Sequence, residues 1–138
     1  MWILYALLAA VFASLTAIFA KVGIENVNSD LAVAIRTAIV LVMAWGIVLF
    51  TGKHHEISQI TQRSWTFLAL SGFATGFSWL FFYKAIQIGE VSKVVPIDKL
   101  SVVFTMILAF VILGEKADIK TIIGGVCIAA GTLVLALK

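Results

Sequence analysis

The sequence predicts an all-α membrane protein of five transmembrane helices, and three observations indicate this. Of its 138 residues, 62% are hydrophobic and only 12% are charged, whereas a soluble domain is about half apolar and about a quarter charged. The apolar residues fall into five long runs, and a helix needs roughly 20 such residues to cross a bilayer. The runs do not alternate as barrel strands do, so we expect helices, which satisfy their own backbone hydrogen bonds in lipid.

The five predicted helices cover about residues 2–20, 31–50, 64–83, 91–113 and 119–137. The first run is uncharged, follows no basic residue and exceeds the roughly 7–15 apolar residues of a signal peptide, so we expect it to remain as a membrane helix. The second is interrupted only by Arg36, and Ser29 with Asp30 could cap it. The third is uncharged. Because the connections are short, residues 1–138 are predicted to form one transmembrane domain.

The fourth run is unusual because it contains ionisable residues, each costing at least ~2.5–3.5 kcal/mol in hydrocarbon. Starting this helix after Asp98 and Lys99 would leave only about 21 Å of span, whereas starting it at Val91 gives about 34 Å, enough for a bilayer. Pro96 interrupts the hydrogen bonding of this helix, which is typical of helices that line a cavity. The alternative is a helix that begins at Pro96, with Asp98 in its first turn.

Asp98 and Lys99 are neighbours in sequence, so they lie about 100° apart on a helix and are not expected to face each other. Each therefore needs another partner. The candidates for Asp98 are Arg36, Lys84 and Lys99 of a second copy, and those for Lys99 are Glu25, Glu90 and a bound anion.

Two interpretations stay open for Arg36, which either reaches back to the membrane surface or serves a site within the span. Trp79 is deep enough to offer its ring face to a cation, although packing is the simpler interpretation. Tyr83 fits an aromatic belt at the membrane interface, and Lys84 an anchor at the helix end. The candidate residues for binding a small molecule or a proton are Arg36, Trp79, Tyr83, Lys84, Pro96, Asp98, Lys99 and Ser101.

Small residues at four-residue spacing mark places where membrane helices approach closely. The third helix contains a GxxxG pair, and the fifth, which carries the best small face and no deep charge, is assigned to assembly. Cys127 in the fifth helix is expected to be an ordinary buried residue. The candidate positions for dimer or helix packing are Gly72, Gly76, Gly124, Gly125, Ala129 and Gly131.

Several function classes are not expected. His54 and His55 with Glu56 offer too few ligands for a metal site, and the single cysteine permits no disulfide within the chain. The basic residues are scattered rather than clustered, which excludes a nucleic-acid surface. No phosphate loop, nucleophile elbow or zinc-protease motif occurs. We therefore expect neither an enzyme nor a bound cofactor or metal.

The positive charges are nearly balanced across the membrane. Without Arg36 and Lys99, which lie within apolar runs, four basic residues fall on the N-terminal side and four on the other. The positive-inside rule then gives almost no bias, so the chain is predicted to insert in both orientations and to pair antiparallel with a second copy. The alternative is that charged residues just inside the helix ends reach one membrane surface and fix a single orientation. The residues counted are Lys53, Arg63, Lys116 and Lys120 on one side, and Lys21, Lys84, Lys93 and Lys138 on the other.

Residues 82–96 have the sequence Phe82-Tyr-Lys-Ala-Ile-Gln-Ile-Gly-Glu-Val-Ser-Lys-Val-Val-Pro96, and a Gly114-Glu115 pair and the glycines Gly124, Gly125 and Gly131 follow later in the chain. This pattern resembles the EamA domain of the drug/metabolite transporter superfamily. The resemblance covers essentially the whole chain. Members typically carry two inverted five-helix repeats, and this chain has the length of one. The resemblance therefore implies an antiparallel ten-helix homodimer in a bacterial or archaeal inner (plasma) membrane.

The resemblance also implies secondary transport of a small polar metabolite or amino-acid-like solute by alternating access. Asp98 and Lys99 depart from the family pattern, which often has uncharged residues there. The first helix lacks the membrane glutamate of the related small multidrug pumps, so their cation-proton exchange is not expected. Two alternatives are a half-transporter that needs a paralogous partner and a membrane scaffold subunit without transport activity.

Overall fold

The computed structural model describes residues 1–137, which are mostly helical and include no strand. The helices are α1 (Trp2–Gly23), α2 (Ser29–Phe50), α3 (Gln62–Ile88), α4 (Val91–Asp98), α5 (Leu100–Ile112) and α6 (Ile119–Ala136), with a 3₁₀ helix over Lys53–Gln59. Five stretches are long and apolar enough to cross a membrane, the fourth being α4 and α5 together. The predicted all-α fold with five spans is confirmed. Lys138, which entered the charge count, lies outside the described residues.

The third helix differs most from its predicted bounds, because it continues five residues beyond the predicted end at residue 83. Contacts far apart in sequence hold this extra turn. Ile86 is fully buried, and its carbonyl accepts a hydrogen bond of 2.6 Å from Lys21 Nζ. Gln87 Nε2 donates to the carbonyl of Val27 at 2.9 Å. A cation near the last carbonyls of a helix also complements the helix dipole.

The second helix is capped by Asn28, not by the Ser29–Asp30 pair. Asn28 has an extended ψ of 134°, and its side-chain oxygen accepts from the backbone N–H groups of Asp30 at 2.8 Å and Leu31 at 3.4 Å. Ser29 and Asp30 instead form the first helical turn. Asparagine is among the strongest N-cap residues because it satisfies amides that lack a helical partner.

The chain divides into two compact units, residues 1–17 with those from 88 onward, and residues 18–87. In the first unit, α6 packs against both α4 and α5. In the second unit, the core is a cluster of Ile24, Val33 and Tyr83, with Trp79 and Leu80 packed against it.

Most apolar side chains of the spans are not covered by the chain itself. At most 11% of the most apolar window in any of the five described spans is buried. Cys127 is exposed on α6, so the expectation that it is buried is wrong. Lipid is as apolar as these side chains, so a bilayer can cover them without a protein core.

Candidate functional site

The fourth span is broken close to its charged residues. α4 ends at Asp98, α5 begins at Leu100, and Lys99 between them has φ −68° and ψ −7°. The Lys99 N–H is shared between the carbonyls of Val95 at 3.3 Å and Pro96 at 3.1 Å. Proline supplies no amide donor of its own. The interruption lies three residues after Pro96, inside a stretch that is long and apolar enough to cross a membrane.

Asp98 and Lys99 form a loose ion pair, with Lys99 Nζ 3.7 Å from Asp98 Oδ2. The prediction that they do not face each other is wrong, because the long lysine side chain folds back to its neighbour. The distance is too long for a hydrogen bond, and the two side chains are 51% and 38% exposed. Glu90, a candidate partner of Lys99, instead pairs with Lys93 at 2.9 Å. Both charged groups at the break thus keep unused hydrogen-bonding capacity.

Thr132 on α6 contacts the broken helix directly, and sequence reasoning missed it. Its side chain is buried, and its hydroxyl lies 3.2 Å from the carbonyl of Pro96 and 2.8 Å from that of Ile128. A sequence signal existed, because Gly125, Ala129 and Thr132 follow the i, i+4, i+7 spacing of one helix face. That face packs within the chain at Gly125, where an added Cβ would lie 3.0 Å from the sulfur of Met106.

A second group of predicted site residues meets in the unit formed by residues 18–87. The guanidinium carbon of Arg36 lies 4.0 Å from the ring centre of Trp79 and 5.5 Å from that of Tyr83. Trp79 and Tyr83 are four residues apart and so share one face of α3. Tyr83 is only 4% exposed, so the belt interpretation is wrong for this residue. The group contains three of the predicted site residues.

The remaining predicted residues lie apart from these contacts. Lys84 and Ser101 are exposed. Gly72 and Gly76 line a shallow apolar groove on α3 with Phe73 and Phe77.

The unit formed by residues 18–87 also contains a cavity of about 630 Å³ beside the 3₁₀ helix, lined by residues that include Trp45 and Trp65. Lys53 and Glu56 also line it, and they form an exposed ion pair of 2.8 Å. The hydrogen bond from Lys53 to Glu56 raises the pKa of the lysine above its usual 10.5. The cavity size and its largely apolar lining are both typical of small-molecule sites.

The two histidines of the same loop have their ring centres 3.9 Å apart. The Nδ1 atom of His54 is buried without a hydrogen-bond partner in the structure. Among residues 1–137, no group of three or more His, Cys, Asp or Glu side chains could hold a metal ion.

Comparison with known proteins identifies the family to which this chain belongs. Residues 1–137 match the EamA-like transporter family. A protein from Sinorhizobium sp., named as an uncharacterized transporter in the cobO 3′ region, is 48% identical over 135 residues, covering 98% of this chain and 96% of that protein. No solved structure matches. Both matches point to a transporter rather than an enzyme, and the five apolar spans fit a single EamA repeat. The chain therefore belongs to the EamA-like transporter family of multi-pass membrane proteins.

Proposed function

We propose that this protein is a secondary transporter of a small polar, amino-acid-like solute, working by alternating access as an antiparallel homodimer. The observation that supports the proposal is the break at Lys99, next to Asp98, in the fourth stretch that is long and apolar enough to cross a membrane. Broken helices and intramembrane charges are the usual components of transporter binding sites. One acidic and one basic group suit a solute that carries both charges.

The charge balance and the exposed helix faces support the homodimer. Four basic residues on each side, with Arg36 and Lys99 left out, give no preferred orientation. The five spans fit a single EamA repeat, and transporters of this kind combine two such repeats. The GxxxG groove of α3 offers a surface at which a second helix could approach closely. A bacterial relative is consistent with the inner (plasma) membrane as the location.

Orientation is tested with single cysteines at the two ends of α2, in a Cys127→Ala background. Asn26→Cys lies in the connection before α2 and Ser58→Cys in the connection after it, and both positions are exposed. An impermeant thiol reagent applied to intact cells should label about half of each variant if both orientations coexist. Complete labelling of one variant and none of the other would establish a single orientation. That result would favour a paralogous partner or a scaffold role.

Transport is tested in liposomes with an equimolar mixture of amino acids and mass spectrometry of the liposome contents. Asp98→Asn should abolish accumulation while the protein remains folded and dimeric. Asp118→Asn is the matched control, because Asp118 is exposed and lies outside the spans. Equal transport by both variants would show that Asp98 has no role. Full activity of an Asp98→Asn, Lys99→Gln double variant in cells, without solute transport in liposomes, would favour the scaffold alternative.

A further inference from the structure

The Arg36 group has the features of an oxyanion site. Among residues 1–137, no carboxylate forms an ion pair with Arg36, and none of the hydrogen bonds involves its guanidinium. A charge within a span costs at least ~2.5–3.5 kcal/mol, whereas stacking on an aromatic ring returns about 0.5–2 kcal/mol. Stacking therefore offsets only part of the cost, and a bound anion would offset more of it.

The stacking of Arg36 on Trp79 leaves the N–H donors of its guanidinium available to bind an anion. At 4.0 Å from the ring centre, the guanidinium lies over the face of Trp79, so the ring covers one face of the planar group. The N–H donors of arginine point outward in its plane. Two of them can bind both oxygens of one carboxylate or phosphate, which a lysine ammonium cannot do.

The position of the guanidinium argues against the membrane surface as the source of the anion. The hydrogen bond from Gln87 to Val27 joins the last turn of α3 to the connection before α2, so these ends lie together. Tyr83 lies about 7 Å from the end of α3 and Trp79 about 13 Å. Arg36 is closer to Trp79, the deeper ring. A side chain reaching for lipid phosphate at that surface would lie closer to Tyr83.

We infer that Arg36, held over Trp79, binds the carboxylate group of a small solute, independently of the pair formed by Asp98 and Lys99. The inference rests on the proposed transport function and deepens it by naming a carboxylate as a required group of the solute. The shared chemistry is an oxyanion, so a phospholipid phosphate is the competing ligand that the experiment must separate.

The chain has only two arginines, Arg36 and Arg63, which makes a direct test possible. Arg63 also has an aromatic neighbour, with its guanidinium carbon 5.9 Å from the ring centre of Phe67, but it lies exposed in the first turn of α3. It is therefore a control within the same molecule. Purified protein in phospholipid-free detergent is treated with p-hydroxyphenylglyoxal, and the modification rate of each arginine is measured by peptide mass spectrometry.

The probes are acetate and L-alanine, each compared with its amide at constant ionic strength. Either carboxylate should slow the modification of Arg36 by about tenfold at ten times its dissociation constant, while the amides and Arg63 show no effect. Protection by added phosphatidylglycerol but not by the carboxylates would assign the site to lipid and overturn the inference. The inference would also be overturned if no probe protected Arg36, or if the guanidinium of Arg36 never reacted with the reagent.

The test also separates the inference from the proposed function. Carboxylate protection without transport in liposomes would retain the binding site and refute the transporter proposal. In the liposome assay, Arg36→Lys should raise the KM for the transported amino acid by about tenfold, the equivalent of one lost hydrogen bond to a charged group. An unchanged KM, together with no protection, would refute the site while leaving the transporter proposal intact.

Discussion

Replacing Thr132 by valine tests whether α6 supports the broken helix through the carbonyl of Pro96. Valine has nearly the shape of threonine, so the main loss is the hydroxyl. Hydrogen bonds between membrane helices contribute about 0.6 kcal/mol on average and about 1.7 kcal/mol at most. The 3.2 Å distance is long for a hydroxyl donor, and the carbonyl of Ile128 shares the proton. We therefore expect a loss of about 0.5–1 kcal/mol in the free energy of unfolding.

The assay is reversible unfolding in mixed micelles with increasing sodium dodecyl sulfate, followed by circular dichroism. Thr75→Val is the matched control, because the Thr75 hydroxyl bonds only to the Ser71 carbonyl of its own helix at 2.9 Å and is exposed. The Thr75→Val variant should lose close to none of its free energy of unfolding. The Thr132→Ser variant should retain most of the stability that Thr132→Val loses. Equal losses for the two valine variants would refute a contribution from the contact between helices.

Three further predictions concern local contacts. Gly124→Ala should stabilise α6 by up to about 1 kcal/mol in the same unfolding assay. Gly125→Ala should stabilise it less, because an added Cβ at Gly125 lies 3.0 Å from the sulfur of Met106. Equal gains in stability for the two variants would exclude that contact. Asn28→Ala should cost about 1 kcal/mol and Asn28→Asp much less, because aspartate retains the capping oxygen; equal losses would refute the cap. The raised pKa of Lys53 means that, while Glu56 is ionised, its pair with Glu56 is stabilising below pH 10.5, and this contribution disappears as the pH rises through the raised value. Carbon-13 NMR of Lys53 should show the pKa falling in Glu56→Gln, and an unchanged pKa would contradict the assignment.

The break in the fourth span could be predicted from sequence because its causes are local. Pro96 lacks an amide hydrogen, and charged residues stand within one apolar run, so an interruption near Pro96 was expected. The helix α4 nevertheless continues through Pro96, and the break follows at Lys99. The ion pair between Asp98 and Lys99 was missed because an ideal helix sets only the direction of a side chain, and a lysine is long enough to depart from it.

The contacts of Arg36 could not be predicted to the same extent. Sequence spacing indicates that Trp79 and Tyr83 share one face of α3, but not which face of α2 meets them. The interpretation of Tyr83 as a belt residue failed for this reason, since a tyrosine near a predicted helix end has the same composition signal whether it faces lipid or protein. The five extra residues of α3 likewise depend on bonds from Lys21 and Gln87, which are distant in sequence from their partners.

The packing of one continuous helix across both halves of the broken span has a consequence for motion. The helix α6 packs against both α4 and α5, so it spans the break at Lys99 and restricts bending there. Bending at that break must move at least one half along α6, and the sulfur of Met106, which lies 3.0 Å from where a Cβ on Gly125 would be, marks the close contact that such movement has to change. Packed helices move between discrete positions rather than deforming continuously. Contact with α6 therefore limits the angle between α4 and α5 to a few defined values, and each change of that angle also involves α6.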